Sequence, residues 1–379
     1  MLSLLGAPNC IAATEMHGTR QHINDFVSQE LRLPQINADA CVHALIDQAN
    51  CRACVDACPK LAWRLDETTL GLDTGVCDGC GLCVPACPTG ALHITYPWVI
   101  RRFQERVIAL FACEHSDIGT AAETLPCIHA LGLRQLLLLY NTGIRHLLVT
   151  TGECANCRRG RYADLRLRVA QLNELLHERR SAPVILLQRS KSAWMRIYAA
   201  EEITSHGTRL SRRKFLGGGA AMVREQLLLA DPLNLPECRT FPPGRLLPVS
   251  PATHESSWPW TPRLQENLCS GCDACLKLCP TDALQLLQKH SADLYPVVEY
   301  RVEAAACTGC GICTTVCETG AVSVQSWSRS TERIFISLRQ RRCSACGNSY
   351  HQPRSVPQEP LCPVCRIHNH SSKLFQVLT

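Results

Sequence analysis

Long apolar runs are missing from this sequence of 379 residues. The longest candidate, at positions 136–140, is five residues, whereas a membrane-spanning helix needs roughly 20. The first ten residues are apolar, but they lack the basic start of a secretory signal and are too short for one. We therefore expect a cytoplasmic protein that associates with a membrane only through its partners.

Fingerprints of organic cofactors are missing as well. No glycine-rich flavin or nicotinamide motif follows a predicted strand, no molybdopterin-binding domain is visible, and no acid–base pair stands out. These absences disfavour a catalytic chain with an organic cofactor of its own.

Cysteine, in contrast, is abundant, with 26 residues. A chain of this length with so many thiols is either a disulfide scaffold or a metalloprotein. The thiols recur at two- and three-residue gaps, as required when one short loop wraps one inorganic core. Four such runs span residues 51–58, 77–87, 269–279 and 307–317.

The runs follow the spacing Cys-x-x-Cys-x-x-Cys-x-x-x-Cys, in which three cysteines hold one cluster and the fourth holds its neighbour. They form two pairs, so we predict two modules with two 4Fe–4S clusters each. The predicted ligand sets are Cys41, Cys51, Cys54 and Cys87 (site 1), Cys58, Cys77, Cys80 and Cys83 (site 2), Cys279, Cys307, Cys310 and Cys313 (site 3), and Cys269, Cys272, Cys275 and Cys317 (site 4).

Site 1 is one cysteine short within its own run. The missing corner falls at Gln48, so we assign Cys41, displaced upstream by a longer loop. If Cys41 is not a ligand, the site would hold a 3Fe–4S cluster or a labile iron. Glu318 replaces the proline that ends the other runs, which leaves the ligand count unchanged.

On these motifs, residues 41–95 and 268–324 resemble bacterial-type two-cluster ferredoxins. The resemblance implies a ferredoxin-like α+β fold and one-electron transfer at low potential. Zinc knuckles or disulfides are the alternative interpretation of the same cysteines.

Strands and helices alternate between the two modules. Apolar runs at 106–111, 146–150 and 184–187 predict strands, and the segments 131–140 and 165–176 predict helices. This alternation predicts a small parallel sheet with helices on its faces, an α/β domain.

Four cysteines accompany that sheet: Cys113, Cys127, Cys154 and Cys157, the middle quartet. Two of them follow predicted strands, and open parallel sheets bind ligands at the carboxyl ends of their strands. The quartet is therefore a candidate 2Fe–2S site. The alternatives are a docking domain with reduced thiols and a redox-active pair formed by Cys154 and Cys157.

Residues 108–160 also resemble the iron–sulfur delta-subunit domain that links hydrogenases and formate dehydrogenases to heterodisulfide reductases. The resemblance lies in Phe111-Ala112-Cys113, Leu125-Pro126-Cys127 and the segment ending at Gly152-Glu153-Cys154. The sequence departs from that family at Ser116, where a second early cysteine is expected, and in the close spacing of the last two cysteines.

The C-terminal segment contains a further set: Cys343, Cys346, Cys362 and Cys365, the tail quartet. Two Cys-x-x-Cys knuckles bind one tetrahedral ion, as in zinc ribbons, and the second knuckle also resembles short rubredoxin-like domains that hold iron. We favour structural zinc. A nucleic-acid role of this ribbon is a minor alternative. The nearby histidines are expected to be ordinary surface residues: His351, His368 and His370.

The remaining features carry less chemistry. Cys10 and Cys238 have no partner motif and are expected to be plain thiols. Residues 211–216 look like a twin-arginine export signal but lie inside the chain, so we interpret them as a relic of gene fusion or a chance match; the alternative is that the second ferredoxin module was once an exported protein. We predict six segments: an N-terminal extension (1–40), a dicluster module (41–100), the α/β domain (101–195), a proline-rich linker (196–263), a dicluster module (264–330) and the zinc-ribbon tail (331–379).

The formal charge of +6 does not indicate a nucleic-acid partner, because it counts every thiol as neutral. Thiolate-bound clusters and one zinc would remove about 12 charges and leave roughly −6.

We therefore expect an electron-transfer subunit that serves a redox partner such as a dehydrogenase, hydrogenase or reductase subunit. Two alternatives remain. One is a catalytic subunit that acts on sulfur compounds or disulfides at Cys154 and Cys157, and the other is a zinc-binding regulatory protein.

Overall fold

The computed structural model describes residues 33–66, 70–94, 98–118, 124–159, 164–200, 241–249, 255–289, 297–331 and 335–368. Cys10, Cys238, His370 and the segment 211–216 lie outside these residues. Within the described ranges, no helix combines the length and hydrophobicity that a membrane crossing needs.

The structure is a mixture of short helices and small sheets, consistent with α+β architecture. The helices are α1 (Val42–Leu45), α2 (Ala53–Asp56), α3 (Cys83–Ala86), α4 (Leu133–Asn141), α5 (Leu165–Glu178), α6 (Lys191–Tyr198), α7 (Ala274–Lys277), α8 (Ile312–Thr315) and α9 (Pro363–His368). The strands are β1 (Gln35–Ile36), β2 (Trp63–Leu65), β3 (Leu70–Leu72), β4 (Leu92–His93), β5 (Val99–Phe103), β6 (Arg106–Ala112), β7 (His146–Thr150), β8 (Ile185–Gln188), β9 (Glu255–Leu264), β10 (Leu284–Lys289), β11 (Val297–Val302), β12 (Val322–Thr331), β13 (Phe335–Arg342) and β14 (Ser349–Pro353).

The first pair of cysteine runs folds around two-stranded antiparallel ribbons. β1 pairs with β4, and β2 pairs with β3. Single-turn helices α2 and α3 end beside the Cys-Pro dipeptides at Pro59 and Pro88, because proline disfavours helical geometry in the residue before it. β1 lies in the segment predicted to be an N-terminal extension, so the ribbon extends across the boundary placed at residue 40.

The middle of the chain forms a four-stranded sheet in the order β5-β6-β7-β8. The three predicted strands pair in parallel, whereas the edge strand β5, which the sequence analysis missed, is antiparallel to β6. Successive side chains of a strand point to opposite faces of the sheet. On one face, Phe111 and Val149 pack against α4 and α5. On the other face, Leu110 and Leu148 pack against Trp194 of α6.

The second pair of runs lies between two sheets. β9 and β12 form a long antiparallel ribbon from Glu255↔Thr331 to Leu264↔Val322. The interpretation of residues 255–263 as linker is therefore wrong. Pro259 and Pro262 argued against a strand there, but a two-stranded ribbon has two edges, where proline is tolerated.

The segment 241–249 of the predicted linker is also ordered. Arg134 Nε donates to the Phe241 carbonyl at 2.8 Å, and Asn141 Nδ2 donates to the Leu246 carbonyl at 3.1 Å. A Cβ at Gly244 would lie 2.5 Å from the Ala305 carbonyl oxygen. This segment therefore packs between α4 and the second module.

The tail continues the sheet of the second module. The order β10-β11-β13-β14 is antiparallel throughout, with Arg301 opposite Phe335 and Arg342 opposite Ser349. The boundary placed at residue 330 thus falls within one continuous sheet, because β13 completes the edge that β11 would otherwise leave open.

Candidate metal centres

The structure brings together all four cysteines of site 1. Burial raises the pKa of Cys51, and the nearby thiols of Cys87 and Cys41 raise it further. Burial, followed by the charges of Cys87 and Cys51, raises the pKa of Cys54 to about 12. His43, two residues after Cys41, holds this segment against the first cysteine run, because its Nε2 donates to the Cys51 carbonyl at 2.8 Å.

Site 2 is assembled from both runs of the first module. Burial raises the pKa of Cys80 to about 12 and that of Cys83 even further, with Cys80 and Cys77 adding like charge around Cys83. The neighbouring Cys58 contributes to the raised pKa of Cys77 in the same way. The tight loop depends on positive φ angles of 65° at Gly79 and 74° at Gly81, which glycine adopts without steric cost.

Sites 3 and 4 repeat this arrangement in the second module. Burial and neighbouring thiols raise the pKa of Cys307 and of Cys313 to about 12, and Cys310 and Cys279 are the neighbours of Cys313. At site 4, burial raises the pKa of Cys275, with contributions from Cys269, Cys272, Cys313 and Cys317.

Backbone amides are directed at the sulfurs that join the runs within each pair. Ala62 N donates to Cys58 Sγ at 3.3 Å, and Ala283 N donates to Cys279 Sγ at 3.2 Å. The repeat is therefore visible in three dimensions as well as in the spacing.

The chemistry of these donors fits iron–sulfur clusters. The buried thiols of each set resist losing their protons, because each thiolate would face its neighbours in a desolvated place. A cationic core removes that penalty, and a coordinated thiol is deprotonated outright. The sets offer sulfur alone, the ligand type of ferredoxin cubanes.

The middle quartet gathers near the carboxyl ends of β6 and β7. Burial raises the pKa of Cys113, and Cys154 and Cys157 add to the effect. Burial also raises the pKa of Cys127 to about 12, with Cys113 as a neighbour. All four line a cavity of about 440 Å³ whose rim includes the exposed Cys154.

Ser116, which replaces an expected cysteine, forms a hydrogen bond with the backbone. It is buried, and its hydroxyl donates to the Cys113 carbonyl at 2.5 Å. The Gly152 backbone packs closely against His115: a Cβ at Gly152 would lie 2.2 Å from the His115 carbonyl oxygen. The two cysteine-bearing loops are thus held together by backbone contacts.

Arg159 joins the middle quartet to site 2. Its side chain is 12% exposed and donates to Asp78 Oδ2 at 2.7 Å, to Glu114 and to the Pro126 carbonyl at 3.1 Å. Asp78 belongs to the site 2 loop, and Glu114 follows Cys113. No spacing rule in the sequence reveals this bridge, because its members lie up to 81 positions apart.

The tail quartet is the most compact cysteine set. Its four sulfurs lie within 4.8 Å of one another. Cys362 N donates to Cys343 Sγ at 3.3 Å, and hydrogen bonds from the amides of Cys346 and Cys362 lower the pKa of Cys343 to about 6. This geometry suits a single ion.

His351 was expected to be an ordinary surface residue, and that prediction is wrong. Its side chain is 14% exposed, and its Nε2 donates to Asp273 Oδ1 at 2.7 Å. The Tyr300 hydroxyl donates to the same oxygen at 2.6 Å. Burial alone would raise the pKa of Asp273, but these two hydrogen bonds lower it. Asp273 follows Cys272, so strand β14 is anchored on the site 4 loop.

Comparison with known protein families identifies two segments. Residues 268–321 match the 4Fe-4S dicluster domain, and residues 71–93 match the 4Fe-4S binding domain. The chain contains ferredoxin-type domains that bind 4Fe–4S clusters. The matched segments include the cysteine runs of sites 3 and 4 and the run that begins at Cys77. No curated protein matches the chain.

Proposed function

We propose that this chain is an electron-transfer subunit that relays single electrons through four 4Fe–4S clusters within a larger oxidoreductase. The observation that carries the proposal is the assembly of four cysteine quartets, each with at least one buried thiol and each completed by at least one cysteine from outside its main run. Each cluster, when bound, accepts and releases one electron.

The proposal gives the chain's own residues defined roles. Cys41 is the fourth ligand of site 1 and replaces the cysteine missing at Gln48, since its thiol acts on both Cys51 and Cys54. The loops bury one or two sulfurs of each quartet. The amides of Ala62 and Ala283 donate hydrogen bonds to Cys58 Sγ and Cys279 Sγ and so hold these sulfurs in place.

The middle domain is proposed to hold a 2Fe–2S cluster at its quartet, in keeping with its resemblance to the iron–sulfur delta-subunit domain. A shared cofactor is supported by the electrostatic influence of Cys154 and Cys157, which raises the pKa of both Cys113 and Cys127. The tail quartet is proposed to hold structural zinc, because its sulfurs fit one ion and its hairpin continues the sheet of the second module.

A reductive titration tests the electron-transfer role. Anaerobic protein titrated with dithionite should bleach in the visible range and accept about four electrons per chain, one for each cubane, and about one more for a 2Fe–2S cluster at the middle quartet. A chain that accepts no electrons would contradict the proposal.

A second candidate function is reduction of a small disulfide in the cavity next to Cys154. The cavity of about 440 Å³ and the exposure of this thiol are the observations that favour it. The reaction would consume two electrons and two protons for each disulfide cleaved into two thiols. Reduced protein should then be reoxidised by a small disulfide, and Cys154→Ser should abolish that reaction while the four ferredoxin-type sites retain their iron.

A further inference from the structure

We infer that the sites form one unbranched electron path in the order middle quartet, site 2, site 1, site 3 and site 4, with a direct junction between the two ferredoxin modules at Cys51 and Cys310. This inference rests on the proposed function and adds the order of the sites and their contact. Neither the spacing of the motifs nor the matched families specify how the two modules meet.

The junction is an apolar cluster shared by both modules. Val42 and Ile46 from the first module and Ile312 from the second are 4%, 9% and 1% exposed, respectively. Cys51 and Cys310 pack against the same cluster. A ligand of site 1 and a ligand of site 3 therefore lie on either side of one small apolar contact.

A hydrogen bond fixes the same contact in register. Thr315 Oγ1 donates to Asn50 Oδ1 at 3.2 Å. Asn50 precedes Cys51, and Thr315 belongs to the helix that contains Cys313. The apolar cluster and this polar contact are independent, and both place site 1 next to site 3.

The other end of the first module contacts the middle domain. Cys80 of site 2 and Cys127 of the middle quartet belong to one buried cluster with Leu82. The Arg159 bridge between Asp78 and Glu114 holds the two loops together. Within the first module, Cys54 and Cys83 belong to one buried cluster, and within the second module, Cys275 and Cys313 belong to another, so that the path is continuous.

The described ends of the path are the ones open to solvent. Cys154 of the middle quartet and Cys272 of site 4 are exposed, whereas Cys51 and Cys310 at the junction are half-buried. Each transfer along the path oxidises one cluster by one electron and reduces the next by one, and no bond forms or breaks. Electrons enter from an external one-electron donor and leave to an external acceptor.

Magnetic coupling between reduced clusters tests the inference without an assay of activity. In the wild-type chain, fully reduced with dithionite, pulsed EPR should show coupling among the spins of all four cubanes, with a fifth spin, from the middle quartet, coupled to site 2. Two isolated pairs, one from each module, would overturn the junction. Iron and sulfide content, measured on the same sample, reports separately on the proposed function: fewer than four clusters would indicate failure of that proposal.

Ile46→Asp should separate the modules, because it places a charge in the apolar cluster five residues from both Cys41 and Cys51. We expect loss of coupling between the modules, with unchanged coupling within them and unchanged iron. Leu45→Asp is the matched control, since this neighbour is 36% exposed and should retain all couplings. If Ile46→Asp loses iron, the milder Ile46→Ala replaces it: weaker coupling between modules supports the junction, and unchanged coupling overturns it.

Discussion

The contact between the tail and site 4 predicts a specific effect of Gly271→Ala. Gly271 has a φ of 74°, and a Cβ there would lie 2.2 Å from the His351 carbonyl oxygen. Two penalties therefore combine. The left-handed conformation costs an L-residue about 1–2 kcal/mol, and strand β14 must retreat by roughly 1 Å to restore an ordinary contact.

That retreat affects the hydrogen bonds on Asp273. His351 donates to this carboxylate at 2.7 Å, and hydrogen bonds to charged groups contribute about 1.5–3 kcal/mol each. Losing this one bond should raise amide exchange in β14 by roughly 10- to 150-fold, at a factor of ten for each 1.4 kcal/mol. Hydrogen exchange is the suitable measurement, because it resolves local opening in a chain with several cofactors.

Gly320→Ala supplies the control. Gly320 has a similar φ of 65°, but its Cβ would meet no described atom within 4 Å. It carries the conformational penalty without the clash and should leave exchange in β14 near the wild-type rate. Equal exchange in both variants would refute the contact between β14 and the site 4 loop.

Three further predictions concern single residues. Cys41→Ala should lose about one iron per chain and give a 3Fe–4S EPR signal on oxidation, whereas Cys10→Ala should change neither. Cys362→Ser should remove about one zinc per chain and leave acid-labile sulfide unchanged; loss of sulfide would mean that the tail holds a cluster. Arg159→Met should speed amide exchange around the middle quartet, because breaking charged hydrogen bonds of a largely buried group costs about 1.5–3 kcal/mol. Arg64→Met removes an arginine that is 79% exposed and should cost at most about 1 kcal/mol; equal effects of the two variants would contradict the bridging role of Arg159.

The sequence predicted those features that depend on short spacing. The cysteine runs, the strands at 106–112 and 146–150 and the helix Leu165–Glu178 all follow from local periodicity, and the structure contains each of them.

Features that depend on distant pairing were missed. The prolines of β9 indicated a linker, because the strand forms only by pairing with β12, which is distant in the sequence. His351 looked like a surface residue because its partner Asp273 lies 78 positions away. The junction at Ile46 and Ile312 joins one segment that precedes the middle domain in the sequence to another that follows it. No local pattern encodes such contacts, since they arise only when the whole chain has packed.

Metal and sulfide analysis of anaerobically purified protein tests the central claim most directly. Four cubanes predict about 16 irons and 16 acid-labile sulfides per chain, with about 18 irons if the middle quartet also holds a 2Fe–2S cluster. The tail should add about one zinc. Zinc without sulfide would contradict the account, because the buried thiol sets would then bind metal ions and could not relay electrons.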